Sequence, residues 1–229
     1  MKDKAKKLLT NKYFLGSVLV TLLYVIYLII ANVSPFGKNS ILKTDLYQQY
    51  AEFLTYYREC LLGKKSILFS WNLGLGNNFF TTFAYYLVSP FNLLIVFFKR
   101  ENVYIFVMIV TYLKLVMIFN MAMLYLKKCI KAKDEMSMIL AICYTFSSFT
   151  ICYMLHIMWL DALYMLPIIL IMVESYIKDN KIQGVIIAVA LNILFNYYFG
   201  FITAFFAGCY YVARVIIETK FEKKNLKET

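Results

Sequence analysis

The side chains best suited to acid-base chemistry in this sequence are Asp45, His156 and Asp161. His156 is the only histidine of the chain, and it shares the segment His-Ile-Met-Trp-Leu-Asp with Trp159 and Asp161. Carboxylates and imidazoles are the usual groups that move protons in active sites. Asp45 is expected in the first turn of a helix, where the helix dipole favours the charged carboxylate. That position suits an anionic catalyst or a cation ligand, and it lowers the strength of the carboxylate as a base.

The segment from His156 to Asp161 allows two interpretations. Trp159 can anchor the chain at a membrane surface while Asp161 caps the helix that follows. Alternatively, the imidazole, the indole and the carboxylate form a polar cluster that faces Asp45 across an outer cavity. The first interpretation is structural and the second describes a reaction site, and the pattern alone leaves both open.

Composition indicates which kind of protein must position these groups. Hydrophobic residues make up 62% of the 229 residues and occur in long runs, which exceeds the content of a soluble domain. The formal net charge of +11 would suit a nucleic-acid partner. The lysines, however, cluster at the ends of the apolar runs and form no stripe interleaved with aromatic residues. We therefore predict a single all-α, polytopic transmembrane helical bundle whose partner is the lipid bilayer, with no nucleic acid.

Six apolar runs approach the length of about twenty residues that a helix needs to cross a bilayer. The predicted spans are residues 13–33, 103–126, 136–153, 162–177, 182–198 and 201–217. A further run, residues 85–98, is shorter and contains Pro90, which favours a re-entrant or interfacial helix. If this run does not cross, most of the 24 Lys and Arg residues fall on one side, as the positive-inside rule requires. Both ends of the chain are therefore predicted to be cytoplasmic, and residues 34–102 to form a large outer loop.

The outer loop contains a predicted amphipathic helix that Thr44 can cap and that ends before Gly63. Its apolar face carries Leu46, Tyr50, Phe53, Leu54, Tyr57 and Leu61. Its polar face carries Asp45, Gln48, Gln49, Glu52 and Glu59. Such a helix is expected to lie along the membrane surface, with its apolar face toward lipid or toward the bundle.

Lys114 lies near the middle of the predicted span 103–126, where a charge is costly and usually faces the protein interior. It can neutralise a buried acid, or it can line a path for a lipid phosphate. The five cysteines show no metal-binding spacing, so no metal site and no cofactor are predicted. A divalent cation near Asp45 and Asp161 is left open, because the ligand set there is too small to define one.

Six short motifs follow one another along nearly the whole chain. They are Asp45-Leu-Tyr-Gln-Gln-Tyr, Trp71-Asn-Leu-Gly-Leu-Gly-Asn-Asn, Tyr85-Tyr-Leu-Val-Ser-Pro-Phe-Asn-Leu-Leu, Ser147-Ser-Phe, His156-Ile-Met-Trp-Leu-Asp-Ala and Asn196-Tyr-Tyr-Phe-Gly. Together they resemble the amino-terminal part of the bacterial YfhO-type membrane proteins. The resemblance implies a fold similar to the multi-spanning GT-C glycosyltransferases, in which the first outer loop holds an acidic catalytic residue. Proteins of this type are longer, so the chain is expected to be the amino-terminal part of a longer protein.

The resemblance also implies a reaction. The donor would be a sugar on a polyprenyl phosphate, and the acceptor an envelope polymer such as lipoteichoic acid. Asp45 would orient or deprotonate the acceptor hydroxyl, with His156 and Asp161 as further catalytic residues. Substrate contacts are expected from Gln48, Gln49, Arg58, Trp71, Asn77, Tyr85, Tyr86, Lys114 and Trp159. The competing class is a non-catalytic flippase, transporter or assembly subunit for lipid-linked sugars, which Lys114 and the broken run 85–98 would suit.

Overall fold

The computed structural model describes residues 11–228, with side chains up to residue 219. Its elements, in chain order, are α1 (Lys12–Ile30), a π-helical turn (Leu46–Tyr50), α2 (Ala51–Leu61), β1 (Phe69–Ser70), β2 (Asn77–Asn78), α3 (Phe79–Tyr86), a 3₁₀ helix (Pro90–Phe97), a 3₁₀ turn (Arg100–Asn102), α4 (Val103–Lys128), α5 (Asp134–Thr145), α6 (Ser148–Tyr153), α7 (Leu160–Asp179), α8 (Ile182–Phe195) and α9 (Tyr197–Glu228). Within residues 11–228, five helical stretches are long and apolar enough to cross a membrane, namely Lys12–Ile30, Arg100–Lys128, Asp134–Tyr153, Leu160–Asp179 and Tyr197–Thr219. The prediction of an all-α, polytopic membrane protein is confirmed.

Two of the predicted spans have a different shape in the structure. The predicted span 136–153 is divided into α5 and α6, because Ser147 has an extended backbone (φ −60°, ψ 161°) that interrupts the helix. The predicted span 182–198 ends early, so α8 has only 14 residues. Asn196 is extended there, and its side-chain oxygen accepts the amide of Phe199 at 2.9 Å. This local bond starts α9 directly after α8, which leaves α8 shorter than the roughly twenty residues of a perpendicular span.

The apolar run around Pro90 is bent. α3 is followed, after a short break, by the 3₁₀ helix Pro90–Phe97. The chain direction bends by 111° between the two helices. Ser89 is extended, as steric contact with the following proline ring favours. Pro90 occupies the start of the second helix, where its missing N–H leaves no hydrogen bond unmade. The run is therefore not one straight helix, and its position relative to the bilayer stays a prediction.

The loop helix begins with the π-helical turn and continues as α2 to Leu61, so it ends before Gly63 as expected. Thr44 differs from the prediction. Its φ of 48° lies in the left-handed region, and its backbone carbonyl, at 3.0 Å, accepts the amides of Tyr47 and Gln48. The buried residues of the loop helix include Leu46, Tyr50, Leu54 and Tyr57, whereas Asp45, Gln48, Gln49 and Glu52 are exposed. The apolar face packs against the bundle as far as Tyr57, whereas Leu61, which was predicted on the same face, is 38% exposed.

The centre of the bundle is α4, which contacts α1, α5 and α7. Phe106 and Phe119 of α4 have no exposed surface. Gly16 of α1 approaches the Phe119 ring so closely that a Cβ atom there would overlap it, as is common where small residues bring membrane helices together. A second cluster joins α7, α8 and α9 through residues that include Ile169 and Ala188. α4 and α7 therefore form the packed frame from which the outer segments extend.

Candidate functional site

The turn that carries Asp45 is connected to the segment that carries His156. Asp45 is exposed at the start of the π-helical turn. Tyr50 ends the same turn, is 2% exposed, and places its hydroxyl 3.3 Å from Nδ1 of His156. Burial is the main reason why the pKa of the Tyr50 hydroxyl is raised, and the nearby Asp45 carboxylate acts in the same direction. The hydroxyl therefore stays protonated at neutral pH and can donate to the imidazole.

Aromatic rings surround this contact. The set, called the aromatic wall below, consists of Tyr50, Tyr85, Tyr86, Tyr153, His156, Trp159 and Phe199, with neighbouring ring centres 4.4–6.2 Å apart. His156 and Trp159 are stacked, with ring planes inclined by 21°. Within the described residues, the buried indole N–H of Trp159 makes no hydrogen bond. The wall thus combines large apolar ring faces with a free donor and an imidazole.

The aromatic wall includes three of the predicted substrate contacts, Tyr85, Tyr86 and Trp159. It also includes residues for which the sequence interpretation gave no role in a site. Tyr50 was assigned to the apolar face of the loop helix, and its hydroxyl carried no separate signal. Tyr153 and Phe199 lie in ordinary apolar runs, although Phe199 belongs to the motif that begins at Asn196. Four separate segments of the chain therefore contribute to one wall.

Lys114 and Asp161 form a buried ion pair between α4 and α7. Lys114 Nζ lies 2.8 Å from Asp161 Oδ2, and both residues have 0% exposed surface. The same ammonium donates to the backbone carbonyl of Ile157 at 2.8 Å. Asp161 Oδ1 accepts the hydroxyls of Ser89 and Tyr164, each at 2.8 Å. Each buried charge therefore has both an opposite charge and further hydrogen bonds, which is the condition under which buried charges are tolerated.

The contacts of the ion pair match one of the two interpretations of Lys114, in which it neutralises a buried acid. Asp161 lies in the first turn of α7 but does not cap that helix, because its carboxylate is directed to Lys114. Substrate would reach this carboxylate only if the network opened. The hydrogen bonds of Lys114 and Asp161 hold two other residues in place. One is Ile157, which follows His156, and the other is Ser89, which lies in the bent segment after α3.

Arg58 and the two predicted contacts in the β-hairpin lie elsewhere in the outer loop. Arg58 donates to the backbone carbonyl of Phe98 at 2.5 Å and pairs with Glu59 at 2.7 Å. Its charge is therefore already compensated within the fold. Asn77 is the first residue of β2, and its side-chain oxygen accepts the amide of the next residue at 2.7 Å. Trp71 directly follows β1 in the hairpin loop and is 76% exposed. None of the three residues is part of the aromatic wall.

The two predicted glutamine contacts are both exposed, but they lie in different surroundings. Gln48 lines a cavity of about 600 Å³ between α2 and the β-hairpin. Gln49 is the next residue and is not part of the cavity wall. Of the two side chains, that of Gln48 therefore lines this cavity and that of Gln49 does not.

The possibility of a metal ion at Asp45 and Asp161 can be compared with their surroundings. Asp45 is exposed, whereas Asp161 is buried and held by Lys114. Within residues 11–228, no group of three or more His, Cys, Asp and Glu side chains is arranged to hold a metal ion. The two carboxylates therefore do not form a pair of accessible ligands in this structure.

Comparison with known proteins places the chain in a family. Neither the curated proteins nor the solved structures contain a match. The sequence model of one family, described as bacterial membrane protein YfhO, matches residues 17–228. This match covers the bundle, the outer loop and every residue of the aromatic wall, and it agrees with the motif-based resemblance. The chain therefore belongs to the YfhO family of bacterial membrane proteins.

Proposed function

We propose that the protein transfers a sugar from a polyprenyl phosphate to a hydroxyl group of an envelope polymer, such as lipoteichoic acid, on the outer face of the membrane. The observation that carries the proposal is the contact between Tyr50 and His156. This contact joins the turn that bears an exposed carboxylate, Asp45, to an imidazole and an aromatic wall. A carboxylate can accept the proton of an acceptor hydroxyl, an imidazole can stabilise a departing phosphate, and aromatic faces can bind a sugar ring.

In the proposed reaction, an acceptor hydroxyl oxygen attacks the anomeric carbon of the donor sugar. The bond from that carbon to the phosphate oxygen breaks, and the electron pair leaves with polyprenyl phosphate. Asp45 takes the proton of the hydroxyl group and later releases it to water. With Tyr50 as the donor to Nδ1 of His156, the imidazole proton resides on Nε2. From there it can donate a hydrogen bond to the departing phosphate, whose negative charge is increasing.

The remaining wall residues and the buried ion pair have supporting roles in this proposal. Tyr85, Tyr86 and Trp159 provide apolar faces for the sugar ring or the prenyl chain. Lys114 and Asp161 act as positioning residues, because their contacts with Ile157 and Ser89 hold two of the segments that adjoin or form the wall. A site assembled in this way keeps its reacting groups near their productive geometry before substrate arrives.

The proposal is tested by Asp45→Asn in the protein reconstituted in lipid nanodiscs. The assay supplies polyprenyl-phosphate sugars and measures the sugar on the acceptor polymer by mass spectrometry. Loss of the carboxylate should reduce transfer by about 10²-fold or more, while an exposed residue of this kind should leave thermal stability unchanged. The matched control is Glu101→Gln, which neutralises another exposed carboxylate of the outer loop. Transfer by Asp45→Asn at the level of the control would remove Asp45 from the mechanism.

A further inference from the structure

A half-open cavity of about 600 Å³ lies between α2, the β-hairpin and the 3₁₀ turn at Arg100. Its volume lies in the range of pockets that hold small ligands, roughly 300–1,000 Å³. One wall is a stripe on the loop helix formed by Gln48, Glu52, Thr55 and Glu59. Their spacing of three and four residues puts them on one helical face. The polar side of the amphipathic helix therefore faces a defined cavity.

The hairpin is fixed over the helix by specific contacts. The Tyr56 hydroxyl contacts the backbone carbonyls of Ser66 and Phe69, both at 3.1 Å. The Tyr56 ring packs against Phe79, with ring centres 4.3 Å apart. Lys65 Nζ lies 4.8 Å from the centre of the Tyr56 ring. The β-hairpin is thus held over the polar stripe by Tyr56, a residue of α2.

The chemistry of the lining indicates which ligand fits. The lining contains two carboxylates, Glu52 and Glu59, and two cations, Lys65 and Arg100, so it has no formal excess charge. Glu52 pairs with Arg100 at 3.3 Å, and Glu59 pairs with Arg58 at 2.7 Å. Exposed amide side chains, including Asn72, and hydroxyl groups provide both donors and acceptors. A prenyl chain would leave these groups without hydrogen-bond partners, and a small anion without hydroxyl groups would offer the two carboxylates no hydrogen-bond donor. A chain rich in hydroxyl groups can satisfy carboxylates, amides and cations together.

We infer that this cavity binds a hydroxyl-rich segment of the acceptor, either a polyol phosphate or a glycan. The inference deepens the proposed function and rests on it, because a sugar can be transferred only to an acceptor held beside the catalytic turn. Gln48, at one end of the polar stripe, lies three residues after Asp45 on the same helical segment. The cavity therefore leads an acceptor chain toward the Asp45 carboxylate, while the aromatic wall remains for the lipid-linked donor.

The test uses the double variant Gln48→Ala/Asn72→Ala in nanodiscs. Both amides line the cavity and are exposed. Their removal should cost the acceptor two or more hydrogen bonds and raise its KM about tenfold. The KM for the donor should stay within about twofold of the parent. Gln183→Ala, which removes an exposed amide outside the cavity lining, is the matched control. An unchanged acceptor KM in the double variant would overturn the inference.

A binding measurement separates this inference from the proposed function. A glycerol phosphate oligomer and a neutral glucose oligosaccharide are each titrated into the parent, the double variant and the control. Binding of either probe by the parent and the control, with about tenfold weaker binding by the double variant, supports the cavity even if no sugar transfer is detected. The probe that binds also distinguishes the two acceptor sources. If neither probe binds, or if the double variant binds as the parent does, the inference fails while the Asp45 test stands by itself.

Discussion

Replacing one member of the Lys114–Asp161 pair should cost much more stability than replacing both. Lys114→Met leaves the Asp161 carboxylate buried without an opposite charge. Asp161→Asn leaves the Lys114 ammonium facing an amide, whose N–H groups cannot accept a hydrogen bond. Removal of one partner from a buried ion pair usually costs about 3–5 kcal/mol. Each single variant should therefore lose about 3 kcal/mol or more of unfolding free energy.

The double variant Lys114→Met/Asp161→Asn removes both charges and keeps an oxygen that can accept the hydroxyls of Ser89 and Tyr164. The group that loses its donor is the backbone carbonyl of Ile157, and an unpaired buried carbonyl costs about 1–3 kcal/mol. The double variant should therefore be only about 1–3 kcal/mol less stable than the parent. The two substitutions would then interact by about 3 kcal/mol or more.

A double-mutant cycle measured by reversible unfolding in mixed micelles gives this interaction energy directly. The control cycle is Lys127→Met with Asp134→Asn, a pair at 2.9 Å that is partly exposed. Because solvent screens exposed charges, the control cycle should show almost no interaction. Additive losses at positions 114 and 161, or single variants within about 1 kcal/mol of the parent, would refute the reasoning that each charge is stabilised by the other.

Two further predictions concern the bundle. With the native cysteines replaced, Asn39→Cys should react with an impermeant thiol reagent in intact cells and Lys131→Cys should be shielded, because positive loops stay inside; the reverse labelling would overturn the predicted orientation. Gly200→Ala should lose about 1–3 kcal/mol of stability, since the new Cβ would lie 2.7 Å from the Cα atom of Ile193. The control is Gly208→Ala, where the new Cβ meets no atom within 4 Å, and its melting temperature in detergent should equal that of the parent. Equal melting temperatures for the two variants would contradict the predicted clash.

The parts of the fold that follow from the sequence are those governed by long-range hydrophobic pattern. The first predicted span, 13–33, corresponds to Lys12–Ile30, and the loop helix ends before Gly63 as predicted. Local departures were not predictable from hydrophobicity. The interruption at Ser147 lies inside an apolar run, and the end of α8 depends on one side-chain hydrogen bond of Asn196. The hairpin strands have two residues each, which is too short for any alternating pattern to appear.

The candidate site shows a similar division. The sequence predicts that Lys114 faces the protein interior, where it either neutralises a buried acid or lines a path for a lipid phosphate, because a charge in that position is costly. It does not identify which carboxylate is the partner, since the pairing depends on how α4 packs against α7 and spans 47 positions of the chain. Ser89 gives no signal in the sequence, because a serine before a proline is typical of many turns. The Tyr50 hydroxyl is likewise indistinguishable from the apolar pattern in which it lies.

The buried pair also explains how a site built from loop segments can be held in one arrangement. Loop residues are generally more mobile than the frame that carries them. Ser89 lies three residues after Tyr86, and Ile157 directly follows His156, so one ion pair holds a segment at each of two edges of the aromatic wall. An apolar pair of similar size would pack as well and cost less to bury, but it would make no directional bonds to a hydroxyl and a carbonyl on two separate segments. The two charges therefore position the segments of Ser89 and Ile157 more than they stabilise the folded protein. For this reason, removing both should restore most of the folding free energy while sugar transfer per folded molecule stays below that of the parent.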